Sequence, residues 1–301
     1  MSFYKLYFVF VFFAGVTAFG QTKPNATPYT VEGTYEKLKK KYPFIKPISK
    51  PIPENILIEE NIIYENVNNQ PLKADIYYPK NLNKKYPGII LIHGGGWISG
   101  SKENEKFMAQ ELASQGYVVM AVNYRLSNVA KYPAAILDIQ NAIHFLKKNN
   151  RKYAFNKNKI GIYGESAGAQ IATLIGVKAK GKIKAIVNVD GIVSFTHPES
   201  EESNYAAYWL DGDKNTHLKN WQDASPLEFV DKKTPPTLFI NSSQPRFHAG
   251  RDDMMKKLRD YKTFTQFIEI KDSPHSFWVA EPWFSETLQH TLEFFNQFLK
   301  K

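Results

Sequence analysis

The stretch "KIGIYGESAGAQIATLIGV", residues 159–177, joins an apolar run directly to a helical pattern. The first six residues are typical of a buried strand, and the residues from Ser166 onward are typical of a helix. Gly164, Ser166 and Gly168 stand at the join as a Gly-x-Ser-x-Gly motif. Such a tight turn needs small neighbours and projects the serine hydroxyl beyond the sheet, where the helix N-terminus favours negative charge. We therefore predict that Ser166 is a nucleophile; the alternative is a glycine-rich turn with a capping serine.

A second glycine-rich motif, "HGGGWISG" (residues 93–100), follows the apolar run "GIILI". Consecutive glycines let backbone N–H groups point at a developing oxyanion without obstruction by side chains. We predict that the N–H groups of Gly95, Gly96 and Ala167 form an oxyanion hole. A phosphate-binding loop is the alternative, but the Gly-Lys-Ser/Thr that such a loop needs does not follow the glycines.

Strand and helix patterns alternate along most of the chain. This alternation predicts an α/β fold, with a mostly parallel central sheet covered by helices on both faces. Residues 191–233 interrupt it between the sixth and seventh predicted strands and are rich in Trp, Asn, Asp and His, so we predict a cap-like insertion there. Residues 54–301 are predicted to form one catalytic domain. The preceding residues 21–53, polar and rich in Lys and Pro, are predicted to be a linker.

The first twenty residues have the order of a secretory signal. "MSFYK" carries a lysine, the apolar run "LYFVFVFFAGVTAFG" follows, and small residues precede Gln21. We predict a signal peptide over residues 1–20 and a secreted or periplasmic protein. A retained membrane anchor is the alternative, but the apolar run is short for a span, and we expect no membrane span after cleavage.

The composition limits the possible fold and function in three ways. The chain has 301 residues, of which 43% are hydrophobic, enough for a substantial core. It has no cysteine, which excludes disulfides, thiol catalysis and a lipid anchor on cysteine. The net charge of +10 comes from lysines spread along the sequence without a nucleic-acid-binding motif, so we expect no nucleic-acid partner and only a mild preference for acidic polymers.

A serine nucleophile needs a histidine base, and the chain has seven histidines. In strand–helix hydrolases of this pattern the chain order is serine, acid, histidine. His275, in "KDSPHSFW", lies just after the last predicted strand and is the expected base. His248, after the penultimate strand, is the alternative.

Taken together, "HGGGW", "VNYRL", "YPAAILDIQNAI", "GESAG" and a final His-x-Phe resemble the α/β-hydrolases of the hormone-sensitive-lipase and BD-FAE-like (bacterial feruloyl or acetyl esterase) kind. The resemblance runs from about residue 61 to residue 299. It implies an α/β-hydrolase fold and hydrolysis of carboxylic esters through an acyl-enzyme. We interpret Arg125 and Asp138, which lie in these motifs, as structural supports rather than reactants.

The sequence leaves two equal candidates for the acid. In the family that the chain resembles, the acid lies within a few residues after the penultimate strand. Here that place reads "SSQP", residues 242–245, and holds no carboxylate. Asp252 comes later, at a predicted helix start, with Asp253 as a weaker candidate beside it. Asp190 ends the strand next to the nucleophile strand and is the other candidate.

Several further residues are candidates for substrate contact. Trp97 and Trp278 lie in loops beside the motifs, where flat aromatic faces could meet sugar rings or an aryl acyl group. Arg246 and His248 lie after the penultimate strand, where they could form the rim of a substrate site.

We expect no metal and no cofactor, since His197 and Glu199 lie two residues apart without further ligands nearby in the sequence. The pattern as a whole predicts a secreted serine carboxylesterase for acetyl or feruloyl-type esters on polysaccharides. The alternatives are a lipid or short-chain esterase, a peptidase on the same fold, and a non-catalytic binding protein.

Overall fold

A computed structural model describes residues 23–201 and 203–300. The predicted signal peptide, residues 1–20, lies outside these residues. Within the described part, none of the helices has both the length and the apolarity that a bilayer crossing requires.

Eight strands form the central sheet of the described residues. In chain order they are β1 (Ile56–Val67), β2 (Gln70–Pro79), β3 (Tyr86–Ile92), β4 (Val118–Val122), β5 (Phe155–Glu165), β6 (Ala185–Val189), β7 (Thr237–Asn241) and β8 (Thr265–Glu269). Across the sheet the order is β1-β2-β4-β3-β5-β6-β7-β8. The pairs β1–β2 and β2–β4 are antiparallel, and the remaining pairs are parallel. The predicted α/β fold with a mostly parallel sheet is confirmed.

The burial of the strands follows their position in the sheet. Every residue of β3, at the centre, is buried, as its continuous apolar sequence requires. In the edge strand β1 most side chains are exposed or partly buried instead. Its hairpin to β2 turns at Asn68 and Asn69, which have positive φ angles of 50° and 64°, the conformation that two-residue hairpin turns demand and asparagine tolerates.

Helices cover both faces of the sheet. The helices α1 (Val31–Lys39), α2 (Lys106–Ser114) and α8 (Trp283–Leu299) contribute to the hydrophobic core on one face. The other face is covered by α3 (Ala134–Lys148), α4 (Ala167–Lys178) and α7 (Arg251–Asp260). After α8, Lys300 Nζ donates to the carbonyl of Gln115, close to the start of β4. The C-terminal residues therefore lie at the edge of the sheet where the parallel strands begin.

The connections bring two loops together at the opposite edge. The chain leaves β3 on one side, through α2 to β4, and returns through α3 to β5, which pairs with β3 on its other side. The carboxyl ends of β3 and β5 therefore lie side by side at a topological switch point, which is where open α/β sheets bind ligands.

The predicted insertion, residues 191–233, lies between the sixth and seventh strands of the sheet, as expected. It carries two short helices, α5 (Asn204–Trp209) and α6 (Leu218–Asp223). Trp209 and Trp221 are fully buried, and the Trp209 ring stacks on Trp97 with centroids 5.0 Å apart. These contacts join the insertion to the main hydrophobic core.

Residues 23–53 are not the linker that their polar composition predicts. They contain α1, whose cap residue Thr30 accepts a hydrogen bond from the Gly33 N–H, and Ile45 and Ile48 are buried. Lys46–Pro47 also pairs with Ala280–Glu281 in a small ladder. The prediction is wrong because the apolar residues of this segment contact the C-terminal part of the chain and so show no local period.

Candidate active site

The turn between β5 and α4 has the strained geometry that its glycines predict. Ser166 has φ 52° and ψ −119°, a backbone conformation that non-glycine residues rarely adopt. A β-carbon on Gly164 would lie 2.2 Å from the Gly168 carbonyl oxygen, and one on Gly168 would lie 2.1 Å from the Ile92 carbonyl oxygen. The two glycines therefore let the helix start against β3 and β5 with Ser166 at its tip.

Three side chains form a continuous hydrogen-bonded series at this turn. Ser166 Oγ lies 2.9 Å from His275 Nε2. His275 Nδ1 lies 2.6 Å from Asp190 Oδ2. In this arrangement the serine hydroxyl donates to the imidazole, and the imidazole Nδ1–H donates to the carboxylate. The structure thus brings together Ser166, His275 and one of the two candidate acids.

Asp190 is held by more than the histidine. It is fully buried and accepts hydrogen bonds from Ser242 through the backbone N–H at 2.9 Å and the hydroxyl at 2.7 Å. Burial alone would raise the pKa of Asp190, but the hydrogen bonds from His275 and Ser242 outweigh it and hold that pKa below its usual value. The carboxylate therefore stays charged next to the imidazole.

The other candidate acids lie elsewhere. Asp252 is in the first turn of α7, with its side chain 82% exposed and 2.8 Å from the guanidinium of Arg251. Asp253 is also exposed, and its carboxylate lies 3.3 Å from His197 Nε2. Asp252 and Asp253 are therefore wrong as partners of His275, because the start of α7 turns their side chains to solvent.

The glycine motif after β3 lies beside Ser166. Gly95 and Gly96 have positive φ angles of 111° and 60°, and together with Ala167 they line the same pocket as the serine. His93 supports this loop from within the protein: its Nδ1–H donates to the Gly94 carbonyl at 2.7 Å, and its ring stacks on Tyr124. Burial lowers the pKa of His93 to about 4, so this histidine is neutral and structural.

The triad opens into a pocket of about 350 Å³. Three parts of the chain supply its walls besides the two glycine motifs: the N-terminal segment (Ala26, Thr27, Tyr29), the insertion (Ile192, Glu201, Ser203, Tyr205) and the loop after β7 (Arg246, Phe247). The phenol of Tyr205 donates to the Asn25 carbonyl at 3.3 Å, which joins two of these walls. The sequence offered no signal for the N-terminal wall, because that segment has no motif.

Of the four predicted substrate contacts, Arg246 and Trp97 line the pocket and the other two do not. Arg246 lines the pocket and lies 3.7 Å from Glu201. Trp97 also lines the pocket, but its relative exposure is only 7%. Its Nε1–H donates to the side-chain carbonyl of Gln170.

Trp278 and His248 are wrong as substrate contacts. Trp278 is buried behind His275, and its Nε1–H donates to the hydroxyl of Tyr29 at 2.9 Å. His248 Nε2–H donates to the Ser242 carbonyl at 3.0 Å and lies 3.9 Å from Asp190 Oδ1. Both side chains therefore support the triad from the protein side.

Arg125 and Asp138 form the structural pair that the sequence predicts. Asp138 is fully buried on α3 and accepts hydrogen bonds from the backbone N–H and the guanidinium of Arg125 at 2.7–3.0 Å. This pair fixes the loop after β4 to α3, away from the triad.

Two carboxyl groups are buried directly behind the nucleophile. Glu165, the residue before Ser166, is 3% exposed and accepts a hydrogen bond from the Tyr163 hydroxyl at 2.8 Å. Glu105 is fully buried beside it. Burial raises the pKa of Glu105 to about 8, and burial together with the nearby Glu105 raises the pKa of Glu165 well above its usual value. Both groups are therefore neutral acids at neutral pH.

The described residues contain no cluster of three or more His, Cys, Asp and Glu side chains arranged to hold a metal ion. His197 contacts Glu199 at 3.6 Å and Asp253 at 3.3 Å on the surface of the insertion. The chemistry that the site supports is nucleophilic attack by a serine with a histidine base.

Comparisons with known proteins agree with this chemistry. A family model described as BD-FAE matches residues 74–247, more than half of the chain. Esterase LipC of Mycobacterium tuberculosis is 27% identical over 190 residues, which cover 56% of this chain and 47% of LipC, so the match spans about half the length of that relative.

Solved structures show the same fold. Esterase B from Lactobacillus rhamnosis (HN001) superposes with a TM-score of 0.69 at 23% identity, over 90% of this chain and 94% of that one. A truncated carbohydrate esterase from gut microbiota superposes with a TM-score of 0.67 at 23% identity, over 83% of this chain and 100% of that one. The α/β-hydrolase fold is thereby established, and the named relatives and the triad are consistent with a carboxylic ester hydrolase.

Proposed function

The chain belongs to the BD-FAE family of α/β-hydrolases, and on this premise we propose that it is an exported serine carboxylesterase that removes acetyl or feruloyl-type acyl groups from polysaccharides. The observation that carries the proposal is the series of hydrogen bonds from Ser166 through His275 to Asp190 beside an open pocket. A nucleophile, a base and a group that orients the base are the parts that acyl transfer needs.

The first half of the reaction forms an acyl-enzyme. Ser166 Oγ attacks the ester carbonyl carbon while His275 Nε2 takes the hydroxyl proton. Asp190 keeps the other ring nitrogen protonated and stabilises the imidazolium that results. As the tetrahedral intermediate collapses, the carbon–oxygen bond to the alcohol breaks, and the proton passes from His275 Nε2 to the leaving oxygen. The acyl group remains on Ser166.

The second half repeats these steps with water. His275 removes a proton from a water molecule, whose oxygen attacks the acyl carbon, and then returns the proton to Ser166 Oγ as the carboxylic acid leaves. In both halves the negative charge develops on the carbonyl oxygen. The N–H groups of Gly95, Gly96 and Ala167, which line the pocket beside Ser166, are proposed to stabilise that oxyanion.

Polar groups around the pocket support a sugar ester as the substrate. Glu201, Ser203, Tyr205 and Arg246 line it together with the triad. Such side chains offer donors and acceptors to sugar hydroxyls, while Phe247 offers an apolar face. Two further observations support the choice: the similarity to a carbohydrate esterase from gut microbiota and the signal-like sequence of residues 1–20.

A second candidate is an esterase for short-chain esters that carry no sugar. The observation that favours it is the apolar part of the same lining, Ile192 and Phe247, together with the 27% identity to Esterase LipC. The two candidates share the triad and differ only in the alcohol part of the ester. A panel of substrates therefore distinguishes them.

The test is a release assay on acetylated xylan, acetylated pectin, feruloylated arabinoxylan and p-nitrophenyl acetate. We expect acyl release from at least one polysaccharide, with turnover reduced by about 10³-fold or more in Ser166→Ala, because the nucleophile is lost. Ser285→Ala, an exposed serine on α8, is the matched control and should behave as the parent. Release that persists in Ser166→Ala would refute the mechanism. Activity on p-nitrophenyl acetate alone would favour the second candidate.

A further inference from the structure

The loop after β7, residues 242–248, holds no carboxylate but contacts both partners of Ser166. At its start, Ser242 donates two hydrogen bonds to Asp190. Near its end, the ring of Phe247 stacks on the imidazole of His275, with centroids 3.6 Å apart and planes 10° from parallel. One short loop therefore supports the acid and the base together.

The stacking supplies a restraint on His275 that the hydrogen bonds do not. The N–H at Nδ1 and the lone pair at Nε2 of an imidazole lie in the plane of the ring, so the hydrogen bonds made there hold its two nitrogens. They leave the ring free to tilt about the line that joins its two nitrogens. Phe247 covers one face of the imidazole, and the ring of Trp278 meets it edge-on at 5.2 Å. Contact with a face opposes this tilt.

Phe247 itself is held in place by its loop. Pro245–Phe247 forms one turn of 3₁₀ helix, which begins at a proline, and the Phe247 N–H donates to the Gln244 carbonyl at 3.1 Å. The Gln244 N–H in turn donates to the Ser242 hydroxyl at 3.2 Å. The position of the phenyl ring is thereby linked to the residue that holds Asp190.

We propose that Phe247 is a positioning residue for acyl transfer, which keeps His275 Nε2 directed at Ser166 Oγ during attack and at the leaving oxygen afterwards. The inference rests on the proposed function and adds a residue to its machinery. The stack also gains strength during the reaction, because the face of an aromatic ring attracts the imidazolium that forms when His275 takes the proton. An interaction that is stronger in the transition state than in the ground state raises kcat.

Phe247 also lines the substrate pocket, so a role as a simple wall is the competing explanation. The two roles change different constants. A wall residue contributes to binding, so its loss raises KM, whereas a positioning residue acts on the proton transfer, so its loss lowers kcat.

The experiment compares Phe247→Leu, Phe247→Met and Phe247→Tyr by kcat and KM for p-nitrophenyl acetate and by the rate of labelling with a small fluorophosphonate. We expect the Leu and Met variants to lose about 10- to 100-fold in kcat with KM within about 3-fold, because small displacements of a catalytic group are costly. Labelling of Ser166 should slow in parallel. Phe247→Tyr keeps the aromatic face and should stay within about 3-fold of the parent.

Phe264→Leu is the matched control. Phe264 is a partly exposed aromatic residue just before β8, at the opposite edge of the sheet from the triad, and it packs on Phe298. Its variant should keep the parental kcat. Thermal unfolding of each variant, measured alongside, confirms that the compared proteins are folded.

Three outcomes would overturn the inference while the proposed function still holds. A rise in KM with unchanged kcat would make Phe247 a wall residue, and parental kcat and labelling in both Phe247→Leu and Phe247→Met would remove its role altogether. A loss in Phe247→Tyr as large as in Phe247→Leu would show that the aromatic face is not what acts. If the parent protein neither hydrolyses an ester nor reacts with the fluorophosphonate, the proposed function fails first and this inference with it.

Discussion

At the scale of single residues, the geometry of the triad depends on the position of its acid, Asp190. Asp190 is the first residue after β6 and has a positive φ of 54°. This conformation lets its carboxylate turn toward His275 while the Ser242 N–H and hydroxyl hold both of its oxygens. The loop after the neighbouring strand β7 therefore supplies the hydrogen-bond donors for the acid, and the acid itself is the residue that follows β6.

Replacement of the two candidate acids tests this assignment. Asp190→Asn should lower kcat by about 10³- to 10⁴-fold, because an amide cannot stabilise the imidazolium and favours the wrong tautomer of His275. Asp252→Asn should change kcat by less than about 2-fold, since surface ion pairs such as Asp252–Arg251 contribute little. Turnover of p-nitrophenyl acetate measures both. The assignment is wrong if Asp252→Asn is the variant that loses activity.

The sequence predicted two of the three triad residues and left two equal candidates for the third, Asp190 and Asp252, with Asp253 as a weaker one. Ser166 was predictable because Gly164 and Gly168, two residues before and after it, lie where a tight turn leaves no room for a β-carbon. His275 was predictable because it follows the last strand of the central sheet. The acid was not predictable, because β6 and β7 end at the same edge of the sheet. Chain order alone does not determine which of the two following loops reaches the histidine. Phe247 was missed between Arg246 and His248, since nothing in its neighbourhood marks an aromatic residue as the partner of a distant imidazole.

At the scale of elements, the buried carboxyl pair joins the turn before α2 to the end of β5. Glu105 closes the 3₁₀ turn Lys102–Glu105, and Glu165 is the last residue of β5, immediately before Ser166. Both groups are neutral at neutral pH, so they can face each other without repulsion. Their protonation is therefore linked to the stability of the nucleophile turn.

This pair predicts that the protein loses stability as the pH rises. Between about pH 4.5 and pH 8 the unfolded chain releases the Glu105 proton while the folded protein, with its pKa raised to about 8, keeps it, so the free energy of unfolding falls across this interval. Glu105→Gln, neutral at every pH, should reduce this slope. The variant should therefore melt several degrees above the parent near pH 9 and close to it near pH 4.

Differential scanning calorimetry across this pH range measures the effect. Glu111→Gln is the control: this glutamate lies on α2, with its side chain 23% exposed, and should leave the slope unchanged. Equal pH slopes in the parent and in Glu105→Gln would contradict the prediction.

Sequence patterns misjudged the residues whose packing partners lie far away along the chain. Trp97 and Trp278 looked available for a substrate because they lie beside motifs, yet both are buried, with 7% and 3% exposure. Residues 23–53 looked like a linker because their apolar partners include Trp283, which Tyr42 meets edge-on at 5.3 Å. Local periodicity carries no information about such distant contacts.

At the scale of the whole molecule, the two ends of the parallel strands differ in the residues that surround them. The catalytic series, the insertion and the N-terminal wall all lie at the carboxyl ends of the parallel strands. The beginnings of those strands form the opposite edge, where Lys300 contacts Gln115. The residues that the proposed reaction uses therefore all lie at the carboxyl ends of the parallel strands.

The proposed export predicts a shortened mature protein. If residues 1–20 act as a signal peptide, expression in a bacterial host should deliver a periplasmic or secreted form that begins at Gln21. N-terminal sequencing of that form, beside a variant with Phe8, Val9 and Phe10 replaced by Asp, provides the measurement. Recovery of the full-length chain in the cytoplasm of both cultures would contradict it.

The N-terminal wall of the pocket has a practical consequence for handling the protein. Because Ala26, Thr27 and Tyr29 line the pocket, an affinity tag or fusion partner joined ahead of residue 23 is attached close to it and can crowd large substrates. A tag joined after residue 300 emerges at the other end of the sheet. Attachment to a bead through the C-terminus therefore leaves the entrance facing the solution, where a polymer chain can reach it.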